Sequence, residues 1–167
     1  MIEQRKIIPY KIGKGNRPNI NEIIGNCIYG EIQEDAKNFV AWLKDNGIIF
    51  KKHSSTTRQH YAVYKKQRFL QIGFWDERID FNHSDKHFEG DPQYWGISWC
   101  IPAKVYKNLA DNKITAVPWD FIKCGHCKPV ETCTGIRIRN PDISAVEMIK
   151  EFILLSICEI NEKSEGI

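Results

Sequence analysis

Three cysteines, Cys124, Cys127 and Cys133, carry the most specific chemical signal in the chain. Cys124 and Cys127 flank Gly125-His126, and this two-residue gap lets both thiols face one point. As thiolates they suit one zinc ion, with Cys133 as a third ligand. The fourth is open among His126, Cys100 and a histidine from elsewhere. Strong zinc signatures hold two such pairs, whereas this segment holds one pair and a single cysteine. The same pair also suits thiol–disulfide exchange, if a helix N-terminus acidifies the first thiol. Three free thiols, packed in a loop under the last helix, are the plainest alternative.

Two further clusters invite chemistry. His83 and His87 lie four apart among Asp85, Glu89 and Asp91, and would share a metal if helical. Gly90 and Asp91-Pro92 instead read as a polar loop. Residues 50–70 hold six basic side chains (Lys51, Lys52, Arg58, Lys65, Lys66, Arg68) and no acid, interleaved with Tyr61, Tyr64 and Phe69. A basic hairpin with exposed rings can track phosphates and stack bases. The next block, 71–100, carries −4, so pairing across the sheet is the competing use of that charge and argues against nucleic acid. Tyr94-Trp95, beside Gly96, could line an apolar pocket. Lys11 to Pro18 is basic and Gly-rich but lacks the ending of a phosphate loop, and reads as a turn.

The elements that must position these residues follow from composition and period. A chain of 167 residues, 42% hydrophobic and 27% charged, is an ordinary globular chain, read as a single domain over 1–167. No apolar stretch approaches the ~20 residues of a membrane span, and no secretory leader pattern opens the chain. The expectation is a soluble cytoplasmic protein with its cysteines reduced. A net charge of +3 is too mild to imply nucleic acid by itself.

Residues 1–30 are poorly patterned. The spacing of Ile32, Ala36, Phe39, Val40 and Leu43 predicts a helix over 32–46, ended by Asn46-Gly47. Period two then predicts strands at 48–50, 61–64 and 69–75, with a hairpin link at 65–68, and a further strand at 97–101. Ile79-Asp80-Phe81 suggests a short strand, residues 82–93 a loop, 102–111 a short helix, and 112–133 irregular chain. A strand follows at 134–139, and Asn140-Pro141-Asp142 starts a helix running to about 160, with Asn140 as N-cap. Its apolar set is wider than one stripe, so it is central in the core or contacts a second copy, as in a homodimer. The order predicts an α+β fold, an antiparallel sheet of three to five strands with helices packed on one face.

Two resemblances add to this. Cys124-Gly125-His126-Cys127, after Pro118-Trp119, is similar to the active-site tetrapeptide of protein disulfide isomerases. The thioredoxin-like fold needs a helix, a cis-proline strand and more sheet after that motif, and only 40 residues follow Cys127. From about residue 35 the chain resembles a group of small bacterial proteins of unknown function. The likeness lies in residues 39–46 (Phe39 to Asn46), Cys124 to Pro129 with its Cys-x-x-Cys-Lys-Pro step, and Asn140-Pro141-Asp142. That group loosely resembles small YjbR-like α+β domains in its order of elements, which implies a fold and no activity.

The expected function is a module that binds a small ligand or another protein, its cysteine cluster suited to structural zinc. The alternatives are a redox protein using Cys124 and Cys127, and a weak nucleic-acid binder through the hairpin at 50–70.

Overall fold

The computed structural model describes residues 17–53, 57–76, 93–102, 120–122 and 133–165. The expected strand at 79–81, most of the loop at 82–93 with His83 and His87, and nearly all of the expected helix at 102–111 lie outside them.

The chain enters through a helix inside the segment that sequence patterning left blank. α1 (Ile20–Cys27) is started by a reciprocal cap. The Asn19 Oδ1 accepts the Glu22 N–H at 3.0 Å, and the Glu22 carboxylate accepts the Asn19 N–H at 2.7 Å. It buries Ile20, Ile23, Ile24 and Cys27. α2 (Glu31–Asp45) follows, burying Ala36, Phe39, Val40 and Leu43, the face its period predicted. Gly47 stands at φ +77°, its N–H donates to the Lys44 carbonyl, and the Ile48 N–H donates to the Leu43 carbonyl. This paired closure is the Schellman motif that Gly47 makes affordable.

Six strands then form one antiparallel sheet, the last-numbered pair including a strand of three residues. They are β1 (Ile49–Lys52), β2 (Gln59–Tyr64), β3 (Gln67–Asp76), β4 (Gln93–Pro102), β5 (Asp120–Ile122) and β6 (Cys133–Arg139), in spatial order β1-β2-β3-β4-β6-β5. The α+β antiparallel reading therefore holds, with six strands where three to five were expected. The hairpin link is tighter than expected. Tyr64 pairs with Gln67, leaving only Lys65 and Lys66 in the turn, at φ +43° and +69°. Two positive φ values match the right-handed twist of a hairpin, although lysine pays sterically for them.

α3 (Ile143–Glu165) ends the described chain. Its start corrects the expected cap. Asp142 Oδ1 accepts the Ala145 N–H at 2.8 Å, so Asp142 caps the helix. Asn140, at φ +38°, instead latches β6 to β4. Its side chain accepts the Trp95 N–H at 2.9 Å and donates to the Gln93 carbonyl at 3.2 Å, while its own N–H donates to the Trp95 carbonyl.

Ala62, Leu70, Ile72, Phe74, Trp95, Ile97 and Ile138 turn one sheet face to the helices. Phe39 of α2 meets Trp95 at 5.4 Å between ring centroids, and Ile149, Phe152 and Ile153 of α3 join the same core. Each such fully buried side chain contributes roughly 1.5–3 kcal/mol of transfer free energy. α3 also leaves Ile143, Leu154 and Leu155 exposed. Among the described residues, no helix is long and apolar enough to cross a membrane.

Candidate ligand-binding site on the sheet face

The face of the sheet away from the core cluster is built by strand alternation. Gln71, Gly73 and Trp75 of β3 and Tyr94, Gly96 and Ser98 of β4 stand at alternate positions, between the buried residues that face the helices. Gly73 pairs directly with Gly96, and Trp75 pairs directly with Tyr94. Two opposed glycines leave a trough with no side chains, and the Trp75 indole lies in it. A Cβ on Gly73 would land on that ring, within 2.5 and 2.7 Å of its Cζ2 and Cζ3. A Cβ on Gly96 would stand 3.7 Å from the same ring and only 2.8 Å from the Ile138 carbonyl oxygen.

The indole stacks on Tyr94 with centroids 5.0 Å apart and planes 25° from parallel. The Arg139 guanidinium lies 4.6 Å from the centre of the Tyr94 ring. This three-layer arrangement borders a cavity of about 210 Å³ that Gln59, Gln71 and Ser98 also line. The Gln71 amide donates to the Gln59 side-chain oxygen. The polar side-chain groups of the described lining are thus two carboxamides, the Ser98 and Tyr94 hydroxyls, the Trp75 indole N–H and a guanidinium. These groups offer hydrogen bonds and one positive charge, and the rings offer stacking surface. The volume is below the roughly 300–1,000 Å³ of a drug-sized pocket, and suits one ring system.

A second aromatic–basic stack extends this face. Tyr61 of β2 pairs with Gln71, stacks on His53 at 4.7 Å, and carries the Arg68 guanidinium 4.4 Å from its ring centre.

The sequence-predicted residues fall as follows. Cys124 and Cys127 lie outside the described residues. Cys133 opens β6 opposite Pro102, with Gly135 opposite Cys100, so Cys133 and Cys100 hold diagonal positions of the β4–β6 ladder. Among the described residues, no group of three His, Cys, Asp or Glu could hold a metal ion. The basic block does not act as one surface. Lys51, Lys52, Lys65, Lys66 and Arg68 are exposed, but Arg58 is buried and its guanidinium donates to the Cys27 sulfur. Of the Tyr94-Trp95 pair, Tyr94 lines the cavity and Trp95 is core, because period two sends neighbours to opposite faces. Arg139, Gln59 and the Gly73–Gly96 trough had no role in the sequence reading. Their only signal was the alternation of Gly73 with Trp75 and of Tyr94 with Gly96.

No family model, curated protein or solved structure matches the chain.

Proposed function

We propose that this chain is a binding module for a small ligand that presents a flat ring to the Trp75–Tyr94 platform and a negative or hydrogen-bonding edge to Arg139, Gln59 and Gln71. One observation carries the reading: two directly paired glycines clear the sheet beneath an indole that, with its stacking partner Tyr94, lines the cavity. The test is titration with adenosine monophosphate, benzoate and cellobiose, followed by amide shifts of β3 and β4. Saturable shifts with a planar anion, lost in Trp75→Ala and weakened in Arg139→Ala, support it. Equal binding by Trp75→Ala, or response to none of the three, refutes it.

The Tyr61–Arg68–His53 stack on the same face favours a second reading, recognition of a short single strand of nucleic acid. A hexanucleotide that binds far better than the mononucleotide, with a steep salt dependence, would select it.

Structural zinc at Cys124, Cys127 and Cys133, and thiol exchange at Cys124 and Cys127, are readings of the sequence. Elemental analysis of protein purified without chelator separates the two. Self-association through α3 is supported by the exposure of Ile143, Leu154 and Leu155. A reducing, cytoplasmic setting suits Cys27 and Cys158, neither of which is in a disulfide.

A further inference from the structure

β1 ends the described sheet on one side, with β2 as its strand neighbour. An end strand keeps a row of outward N–H and C=O groups that a further strand can pair. The register identifies them. The His53 N–H donates to the Gln59 carbonyl, so the opposed pairs that exchange hydrogen bonds are Lys51–Tyr61 and Ile49–Val63. The N–H and C=O groups of Phe50 and Lys52 therefore point away from β2. The Ile48 N–H, next in that outward series, is taken by the Leu43 carbonyl. Among the described residues, nothing takes the four outward groups of Phe50 and Lys52. We propose that this edge takes an extended acidic segment of another protein as a further antiparallel strand, with one apolar side chain of that segment entering the cleft beside β1.

The two sides of the edge select that partner. On the helix side, a cleft of about 570 Å³ runs along β1, walled by Ile20, Ile48 and Phe50. A strand laid beside β1 sends alternate side chains to that side, so the residue opposite Phe50 meets the apolar wall. On the other side Ile49, 58% exposed, offers a second apolar contact. Strand addition of this kind draws affinity from main-chain hydrogen bonds and specificity from the alternate side chains.

Charge decides the rest. Lys51 and Lys52 are both exposed, on opposite sides of the edge, and Lys44 lines the cleft. No carboxylate stands in the described lining, and the sequence has no acid from Asn46 to Leu70. Lys52 donates to the Arg17 carbonyl, and neither it nor Lys51 makes an ion pair among the described residues. Lysines on an edge keep copies of one chain apart. Pairing β1 with β1 of a second copy, Phe50 opposite Lys52, would set Lys51 against its own counterpart at roughly 4.5 Å between Cα atoms. Like charges directly opposite are destabilising, whereas carboxylates at those positions are attractive. The fitting antiparallel strand is thus acidic opposite Lys52 and Lys51, and apolar opposite Phe50 and Ile49.

The experiment is titration of the isotopically labelled full chain with the peptide Thr-Glu-Glu-Val-Val-Thr, its ends blocked, followed by amide shifts and hydrogen exchange. The Phe50 and Lys52 N–H groups should shift saturably and exchange more slowly, because they gain acceptors. Replacing both glutamates by lysine should weaken binding at least about fivefold at low salt, as two attractions become repulsions. Methylating the nitrogen of the first valine, whose N–H faces the Phe50 carbonyl, should weaken it about tenfold. Methylating the nitrogen of the second valine, whose N–H faces away, should cost less than about threefold. Trp75→Ala should leave binding unchanged, which separates the edge from the sheet-face platform. No saturable shift, equal binding of the lysine peptide, or equal effects of the two methylations would each overturn the proposal. Concentration-dependent shifts of the same amides without peptide would also overturn it, by assigning the edge to a second copy.

Discussion

Gly73→Ala tests the platform most directly, because one methyl group decides where an indole can lie. Its Cβ would overlap Cη2 of Trp75 and come within 2.5 and 2.7 Å of two further ring atoms. The ring must therefore lift from the sheet. Overpacking of this kind costs about 1–3 kcal/mol, and loss of the Tyr94 stack adds about 0.5–1.5 kcal/mol. Replacing glycine also restricts the unfolded chain, which returns about 0.4–1 kcal/mol. Partial relaxation of the ring brings the net to about 1–2 kcal/mol. For a chain of this size that lowers Tm by roughly 2–8 °C. Urea denaturation of wild type, Gly73→Ala, Trp75→Ala and the double variant completes a cycle. With the indole gone, Gly73→Ala should be neutral or slightly stabilising, giving a coupling energy of about 1–3 kcal/mol. A Gly73→Ala penalty that survives unchanged beside Trp75→Ala would refute the reasoning, since the clash would then not involve the ring.

Burial, then the positive charge of Lys52, lower the His60 pKa from 6.5 to about 4, so the folded protein holds it neutral where the unfolded chain is protonated. Stability should be full above pH 6.5 and fall as pH drops towards 4, by about 1.4 kcal/mol per pH unit and roughly 3 kcal/mol in all. His60→Leu should flatten this part of a urea-derived stability profile, and an unaltered slope would assign the loss to other groups. Asn140→Gly keeps the positive φ but deletes two side-chain hydrogen bonds to β4, costing about 1–3 kcal/mol. Asn140→Ala should cost about 1 kcal/mol more, and a reversed order in thermal melts would count against the latch. Lys65→Asn with Lys66→Gly should stabilise the β2–β3 turn by about 1 kcal/mol, read as a higher urea midpoint at constant slope.

What could be read from the sequence divides along physical lines. α2 was legible because five apolar side chains recur on one face of a long helix. β3 and β4 were legible because β-branched and aromatic residues alternate with small or polar ones. α1 escaped because eight residues give barely two turns of periodicity. Its signal was nonetheless present, in Asn19 three residues before Glu22 and in Ile20, Ile23, Ile24 and Cys27 at helical spacing. β5, at three residues, carries no period at all. Asn140 was misassigned because Asn-Pro-Asp offers two residues able to cap. The positive φ that excludes Asn140 is a tertiary demand of the β4 contact. The candidate site was mostly illegible. Gln59 and Arg139 reach it from distant points of the chain, and their convergence is a matter of register. Arg58 shows the opposite error, since the sequence groups it with the basic block of 50–70 and the fold buries it against Cys27.

The strand order has a consequence for how the molecule is made. β6 lies between β4 and β5, although β5 precedes it in the chain. A nascent chain leaving the ribosome can zip β1 to β4 in sequence, each new strand docking beside the last. The far edge of β4 then stays bare, and β5 emerges with nothing to pair with, until residues 133–139 arrive. Arg139 and the Asn140 latch belong to that late arrival. The proposed sheet-face platform is therefore incomplete until residues 133–139 have been synthesised. A truncated product ending before β6 would carry Trp75 and Tyr94 beside an unpaired edge, a template for association with other chains.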